Sequence, residues 1–183
     1  ETVQIGHQVW MQENLIATHY HNGDAIPTGL DNDAWSTTNE GAYAIYDDDS
    51  ANAEIYGNLY NGFAVDDDRG VCPEGFHVPL DDEFMELEMY LGMSEEEANN
   101  TGWRGTNEGS KLAGNSELWD DGELENNSEF GTSGFTTLPA GYRSNGNGNY
   151  HYMGNNGYFW SSTEYGSSND VWYRELHYTS SEV

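Results

Sequence analysis

Basic residues are scarce in this chain. Its 183 residues include only 5 Lys and Arg against 33 Asp and Glu, which gives a formal net charge of −28 at pH 7. Contacts to nucleic-acid phosphates need Lys and Arg, and anionic membrane surfaces attract basic segments. The composition therefore argues against a nucleic-acid partner and against binding to an anionic membrane surface.

Cysteines and long apolar runs are scarce as well. The single Cys72 excludes an internal disulfide framework. No stretch approaches the length of a membrane span, and no signal-peptide pattern opens the chain. The length fits one domain. We therefore expect residues 1–183 to form a single, monomeric module of a larger surface protein, without membrane insertion.

Aromatic residues, in contrast, are abundant. The chain has 13 Tyr, 6 Trp and 6 Phe, too many for a disordered acidic segment. A chain that folds despite this negative charge needs cations, because like charges oppose compaction. Oxygen ligands from Asp, Asn and Glu suit a hard divalent ion. We therefore predict Ca²⁺ as the cofactor, stabilising a secreted protein in calcium-rich water by binding only its folded state.

Adjacent acidic residues occur in five runs, at 47–49, 66–68, 81–83, 95–97 and 120–121, and two of these runs have a helical explanation. Apolar residues after Pro79 recur at helical spacing up to Gly92, with acidic residues 81–83 in the first turn, where they favour the helix dipole. Ser94 is a natural N-cap for the acidic residues 95–97. These runs therefore predict helix starts in preference to metal sites.

Alternating and aromatic segments predict strands, and the region 102–149 is expected to be mostly irregular. The fold class that follows is α+β, with one or two early helices and an antiparallel sheet. The predicted strand segments are 3–10, 41–46, 57–65, 134–139, 158–163 and 171–178.

A series of motifs carries a family resemblance. They are VWMQENL at 9–15, GNLY at 57–60, CPEGFHVP at 72–79, GSKL at 109–112, GFTTLPAGYR at 134–143, FWSSTE at 159–164 and VWYREL at 171–176. In this order they resemble the Fibrobacter succinogenes major paralogous domain, a family of bacterial secreted and surface modules. The resemblance covers nearly the whole chain. It implies a C-type-lectin-like fold, with two helices beside antiparallel sheet and long loops that carry the binding face.

The extreme acidity adds a second likeness. It is similar to that of modules within calcium-dependent RTX adhesins, some of which bind peptides, including free C-terminal carboxylates, through calcium. The resemblance thus implies a calcium-dependent, peptide-binding module of an extracellular bacterial surface adhesin that mediates attachment to cells or surfaces, as in biofilms. Two alternatives stay open, a calcium-dependent carbohydrate-binding lectin module and a structural spacer stiffened by calcium.

Catalysis has little support in the sequence. The six histidines lack a zinc-binding spacing such as HExxH. The paired reactive cysteines of the formylglycine-generating enzymes, which the fold resembles at a distance, are missing. A polysaccharide-active enzyme would need two facing carboxylates, one with a raised pKa. We therefore expect no enzymatic activity and name no catalytic residue.

Loop oxygens next to aromatic residues provide the candidate site, because such a combination suits a calcium-dependent sugar or peptide site. The predicted metal ligands are Asp120, Asp121, Asn145, Asn147, Asn149 and Glu164, with Asp47, Asp49, Asp66 and Asp68 as candidates for structural calcium. The predicted ligand contacts are Tyr150, Tyr152, Tyr165, Asn156 and Asp170. For each acidic run a solvated loop is the alternative. Arg143 and Arg174 are expected to form buried pairs with carboxylates, and Trp10, Phe159 and Trp160 to lie in the core.

Overall fold

The computed structural model describes residues 1–166 and 170–183, and shows a mixed α/β domain with small antiparallel sheets and several helices. The strands are β1 (Thr2–Ile5), β2 (Gln8–Met11), β3 (Tyr43–Ala44), β4 (Leu59–Tyr60), β5 (Tyr142–Arg143), β6 (Tyr150–His151), β7 (Asn156–Tyr165) and β8 (Asp170–His177). The helices are α1 (Asn32–Thr37), α2 (Ser50–Tyr56), α3 (Gly62–Val65), α4 (Asp81–Leu91), α5 (Glu95–Ala98), α6 (Glu108–Leu112) and α7 (Glu123–Asn126), with short 3₁₀ turns at Tyr46–Asp48 and Ser116–Leu118. Each strand pairs with its neighbour along the chain, β1 with β2 and so on to β7 with β8.

The two predicted helix starts are confirmed. At the start of α4 the Glu83 carboxylate accepts a hydrogen bond from the backbone N–H of Leu80 at 2.8 Å, and the helix ends at Gly92, whose φ of 125° favours glycine. Ser94 accepts from the N–H of Glu97 at 3.2 Å and so caps α5. Acidic residues therefore begin both helices, as the sequence indicates.

The main core lies between α4, α6, the β1–β2 hairpin and β7–β8. It buries Phe84, Leu87, Leu112, Trp119, Leu124, Phe135 and Leu176, and the half-buried Trp10 and Phe159 pack against it. Two smaller clusters of buried residues form around Tyr20 and around Trp35. Phe159 and Trp10 are thus core residues as expected. Trp160 is 39% exposed, however, so its placement in the core was wrong.

Arg174 lies in this core between two carboxylates. Its Nε donates to Glu88 Oε1 at 2.5 Å and its Nη1 to Asp81 Oδ1 at 2.6 Å. Arg104 donates to the second Glu88 oxygen at 2.8 Å. The expected buried pairing of Arg174 is confirmed, and it ties β8 to α4.

Arg143 is also buried, but its partners differ from those expected. Its guanidinium donates to the carbonyls of Gly148 and Leu30, each at 2.8 Å, and lies over the rings of Trp35 and Tyr150. Carbonyl dipoles and aromatic faces therefore stabilise this charge where a carboxylate was expected.

Four predicted segments differ from the structure. In 41–46 only Tyr43–Ala44 forms a strand, and Tyr46 begins a 3₁₀ turn. The segment 134–139 contributes only an isolated bridge from Thr137 to Ala113, because Thr136 has a left-handed φ of 63° that no regular strand tolerates. In 57–65 the strand stops at Tyr60, since Asn61 accepts from the N–H of Ala64 at 3.0 Å and caps α3. The segment 3–10 is two strands, with Gly6 at the turn.

The region 102–149 is also more regular than expected. It contains α6, α7, the turn Ser116–Leu118 and the strand β5. Each element is too short to leave a clear periodic signal in the sequence. Within the described residues, no helix combines the length and the apolar character needed to cross a membrane.

Candidate functional site

The β7–β8 hairpin has one face against the core and one facing outward. Register pairs join Phe159 to Arg174 and Gly157 to Leu176, and these point inward. Because side chains alternate along a strand, the neighbouring pairs share the opposite face. The outer face carries Asn156, Tyr158, Trp160, Tyr173, Glu175 and His177.

Aromatic rings continue from this outer face onto the β5–β6 hairpin. The Tyr158 ring centroid lies 6.0 Å from that of Tyr173 and 5.4 Å from that of Tyr142. Tyr142 in turn lies 5.8 Å from Tyr152 and 5.3 Å from His151. We call these five residues the aromatic surface. Tyr152 and Tyr173 are each more than half exposed, so the surface is open to a ligand.

A carboxylate lies within the aromatic surface. Glu175 Oε1 accepts from Asn156 Nδ2 at 2.6 Å and from the Tyr158 hydroxyl at 3.0 Å. Burial, together with the nearby Glu175 charge, raises the pKa of Tyr158 above its ordinary value, so the hydroxyl stays protonated and donates. Among the described contacts none involves Glu175 Oε2. That oxygen can accept a hydrogen bond from a ligand hydroxyl.

The predicted contacts are divided between this surface and the interior. Tyr152 belongs to the aromatic surface, and Asn156 borders it but is buried against Glu175. Tyr150 instead donates to Asp48 at 2.7 Å and packs on Tyr46. Burial, and after it the bond to Asp48, raises the pKa of Tyr150 above its ordinary value. Tyr150 thus helps to hold the loops together.

The other two predicted contacts belong to the far end of the hairpin. Tyr165 is exposed and packs edge-on against Trp172, with centroids 4.4 Å apart, and the predicted metal ligand Glu164 precedes it. Asp170 begins β8, but its side chain lies outside the described part of the structure. Neither Glu164 nor Tyr165 forms part of the aromatic surface.

The three predicted asparagine ligands lie in the loop 145–149, which folds against α1. Asn149 accepts from Asn32 Nδ2 at 2.8 Å, and Asn147 accepts from the N–H of Asn149 at 3.0 Å. Asn145 is exposed. A Cβ on Gly148 would lie 2.4 Å from the backbone of Asn32, so only glycine permits this approach. Two of the three amides therefore stabilise the loop itself.

Asp120 lies beside the aromatic surface, and Asp121 is bonded to the last residue of α7. Asp120 accepts from Asn155 Nδ2 at 2.5 Å, and Asn155 is hydrogen-bonded to the carbonyl of Tyr152 through its N–H at 3.0 Å. Asp121 accepts from Asn126 Nδ2 at 2.9 Å. Of the predicted metal ligands, Asp120 is the one that borders this surface.

The remaining acidic candidates lie in separate loops. Asp49 caps α2 by accepting from the N–H of Ala51 at 3.0 Å. Asp47 is exposed with a left-handed φ of 53°. Asp66 and Asp68 are exposed on either side of Asp67, which is paired with Arg69. These four positions do not form one cluster with Asp120.

The calcium prediction can be compared with this arrangement. In the described ranges, no three His, Cys, Asp or Glu side chains come together as a metal site. Ca²⁺ takes about six to eight oxygen ligands, which can include amides, carbonyls and water. A calcium ion near Asp120 would therefore need the amide of Asn155 or backbone oxygens in addition to the carboxylate. Calcium stays a prediction.

Sequence reasoning missed much of the aromatic surface, namely Tyr142, His151, Tyr158, Tyr173 and also Glu175. Their signal is the alternation of large polar-tipped rings with inward residues along 156–160 and 173–177. That alternation predicts strands, but it does not show which strands pair or which rings meet.

The comparisons with known proteins place these features within a family. The model of the Fibrobacter succinogenes major domain matches residues 3–181. The search of curated proteins found no match, and the search of solved structures found none. Since the match spans nearly the whole chain, the protein belongs to the Fibrobacter succinogenes major domain family.

Proposed function

We propose that this domain is a non-catalytic binding module that holds a glycan on its aromatic surface. The observation that carries the proposal is the contiguous set of open rings around Glu175. Ring faces of Tyr pack against the apolar faces of sugars, and their hydroxyl tips hydrogen-bond. A carboxylate oxygen accepts from sugar hydroxyls. Rings and acceptor together match a neutral ligand rich in hydroxyls.

The charge distribution supports a neutral ligand. All five basic residues have partners within the domain: Arg69 with Asp67, Arg104 and Arg174 with Glu88, Arg143 with carbonyls, and Lys111 with the carbonyl of Leu91. A ligand carboxylate would therefore meet a protein of net charge −28 without a free cation. A neutral sugar is not repelled by this negative charge.

The other expectations remain proposals. We infer a C-type-lectin-like fold, supported by α4 and α5 beside the long β7–β8 hairpin and the loops next to it. We also propose a place on the bacterial surface, within an adhesin. A peptide ligand held through calcium remains the second candidate, supported by Asp120 next to Tyr152 and Asn155.

A binding screen tests the proposal. We expect neutral oligosaccharides to bind the wild-type domain by isothermal titration, and Tyr173→Ala and Tyr152→Ala to weaken binding by about tenfold each, the effect of losing about 1.4 kcal/mol of ring contact. Tyr90→Ala is the matched control, since Tyr90 is also more than half exposed but lies on α4.

The same screen separates the two candidates. Free C-terminal peptides are titrated in calcium and then in EDTA. Peptide binding that EDTA abolishes, with no oligosaccharide binding, would overturn the glycan proposal in favour of the adhesin-type peptide site. Equal losses in Tyr90→Ala and Tyr173→Ala would show that the aromatic surface is not the site.

A further inference from the structure

A second feature, independent of the aromatic surface, is a cavity of about 420 Å³. It opens between the β1–β2 hairpin, the segment 72–79, the start of α4 and the middle of β7, where both Phe159 and Trp160 line it. Its size is within the range of small-ligand sites, about 300–1,000 Å³. Four of the segments that carry the family resemblance contribute to it: 9–15, 72–79, 134–143 and 159–164.

Six Trp and Phe side chains line the cavity among the described residues. Trp10 is at the centre, with its ring centroid 5.5 Å from that of Phe84 and 5.3 Å from that of Phe135. Phe135 continues to Phe159 at 5.6 Å. Trp160 also lines the cavity, and its indole N–H is fixed by the carbonyl of Tyr60 at 2.8 Å. The rings are therefore held in place before any ligand arrives.

Two carboxylates, Glu13 and Glu83, and two histidines, His7 and His77, line the cavity, and no Lys or Arg does so among the described residues. Glu13 lies 3.5 Å from the N-terminal ammonium, in an exposed pair that water screens. Glu83 accepts from His77 Nε2 at 2.9 Å. Burial tends to raise the pKa of Glu83, but the bonds from Leu80 and His77 outweigh it and hold that pKa below its ordinary value. Glu83 is thus ionised at neutral pH.

These observations favour one class of ligand. An aromatic ring face carries partial negative charge and attracts cations, more strongly when water is excluded. The two carboxylates and the net charge of −28 add to that attraction. We propose that the cavity binds a compact organic cation, an alkylated ammonium whose methyl groups pack against Trp10 and Trp160. An uncharged apolar ligand would gain the packing but not the electrostatic attraction.

A matched pair of probes tests the role of charge. Choline and 3,3-dimethyl-1-butanol have the same shape, and only choline is charged. In titrations at constant ionic strength we expect choline to bind at least tenfold more tightly, in line with a desolvated cation–π contact. Equal or tighter binding of the alcohol would overturn the proposal, and so would the failure of both probes to bind.

A pair of tryptophan variants tests the location. Trp160→Leu is expected to weaken choline binding by about tenfold. Trp103→Leu is the control, because Trp103 is a comparably exposed tryptophan that packs on His177 outside the cavity. Circular dichroism and melting establish that both variants fold. Equal choline affinity in the two folded variants would contradict the proposed site, whatever the outcome with glycans.

Discussion

Charged groups have different surroundings in two regions of the molecule. They form buried ion pairs in the interior between α4 and β8, and they are exposed in the acidic loops around it. In the interior Glu88 is fully buried, and its two oxygens accept from Arg174 and Arg104 at 2.5 and 2.8 Å. In the loops, carboxylates such as Asp49 and Asp31 are exposed and accept from backbone N–H groups. Arg104 and Arg174 therefore stabilise the core, and most of the negative charge stays at the surface, where solvent cations screen it.

Buried ion pairs and surface carboxylates affect the stability of the domain in different ways. Buried pairs are strongly coupled, because removing one partner leaves the other charge unsatisfied in a poorly solvated place. Surface carboxylates contribute individually little, but together they repel one another. The core should therefore respond to single substitutions, and the loops to ions and pH.

Breaking the interior network should have the largest effect. Arg174→Met removes the bonds to Glu88 and Asp81 while keeping an apolar side chain over Phe84. We expect the free energy of unfolding to fall by about 3–5 kcal/mol, because Glu88 keeps its charge with one partner fewer. Urea denaturation of the wild type and of Arg174→Met measures this difference in the free energy of unfolding.

Arg69→Met is the matched control, since Arg69 is paired with Asp67 and Asp24 at the surface. Its effect should be much smaller, because water solvates both charges after the change. Equal losses of unfolding free energy in Arg174→Met and Arg69→Met would contradict the proposed difference between the interior and the loops.

Calcium should act on the loops. If loop oxygens bind Ca²⁺ only in the folded state, a calcium concentration about 100-fold above the dissociation constant stabilises the domain by about 2.7 kcal/mol. Melting in CaCl₂ and in NaCl of the same ionic strength separates binding from screening. Asp120→Asn should reduce the calcium effect, whereas Asp82→Asn, at an exposed position in the first turn of α4, should not. Identical melting temperatures in the two salts would rule out a specific site.

The dependence of stability on pH should report on the ion pair between Asp67 and Arg69. Hydrogen bonds from Arg69 hold the pKa of Asp67 at about 2, below its ordinary 3.8. The folded state therefore binds this proton less tightly than the unfolded chain, so the stability from Asp67 is present above about pH 4 and is lost as the pH falls towards 2.

We therefore expect the melting temperature to fall as the pH drops from about 4 towards 2. In Asp67→Asn this fall should be shallower. Asp68→Asn changes the net charge equally in the same run and should leave the fall unchanged. An acid fall as steep in Asp67→Asn as in the wild type would contradict the role of the pair between Asp67 and Arg69.

The same contrast explains how much the sequence could predict. Helices α4 and α5 were predictable because their signals are local: an acidic first turn, a Ser cap and a terminal Gly. The strands β7 and β8 were predictable from alternation. The segment 134–139 has strand-like residues, but the Thr136 hydroxyl bonds to the carbonyl of Gln12 and its backbone turns. Only the tertiary structure decides that conformation.

The candidate site was predictable in part. Tyr152 and Asp120 were selected from loops rich in oxygen and aromatic side chains, and both lie at or beside the aromatic surface. Tyr158 and Tyr173 were missed because their contact depends on the register of β7 with β8, which shifts between Trp160 and Glu164. Register depends on partners far along the chain, so local patterns do not determine it.

The smallest effect concerns a single loop carboxylate. Asp31 accepts from the N–H of Ala34 at 2.8 Å and caps α1. Asp31→Ala should lower the free energy of unfolding by about 1 kcal/mol, because the cap is lost. Asp31→Asn removes the charge but keeps the acceptor, so it should cost little or even stabilise a domain of net charge −28. Urea denaturation of both variants separates capping from charge, and equal losses would mean that the charge of Asp31 matters more than its hydrogen bond.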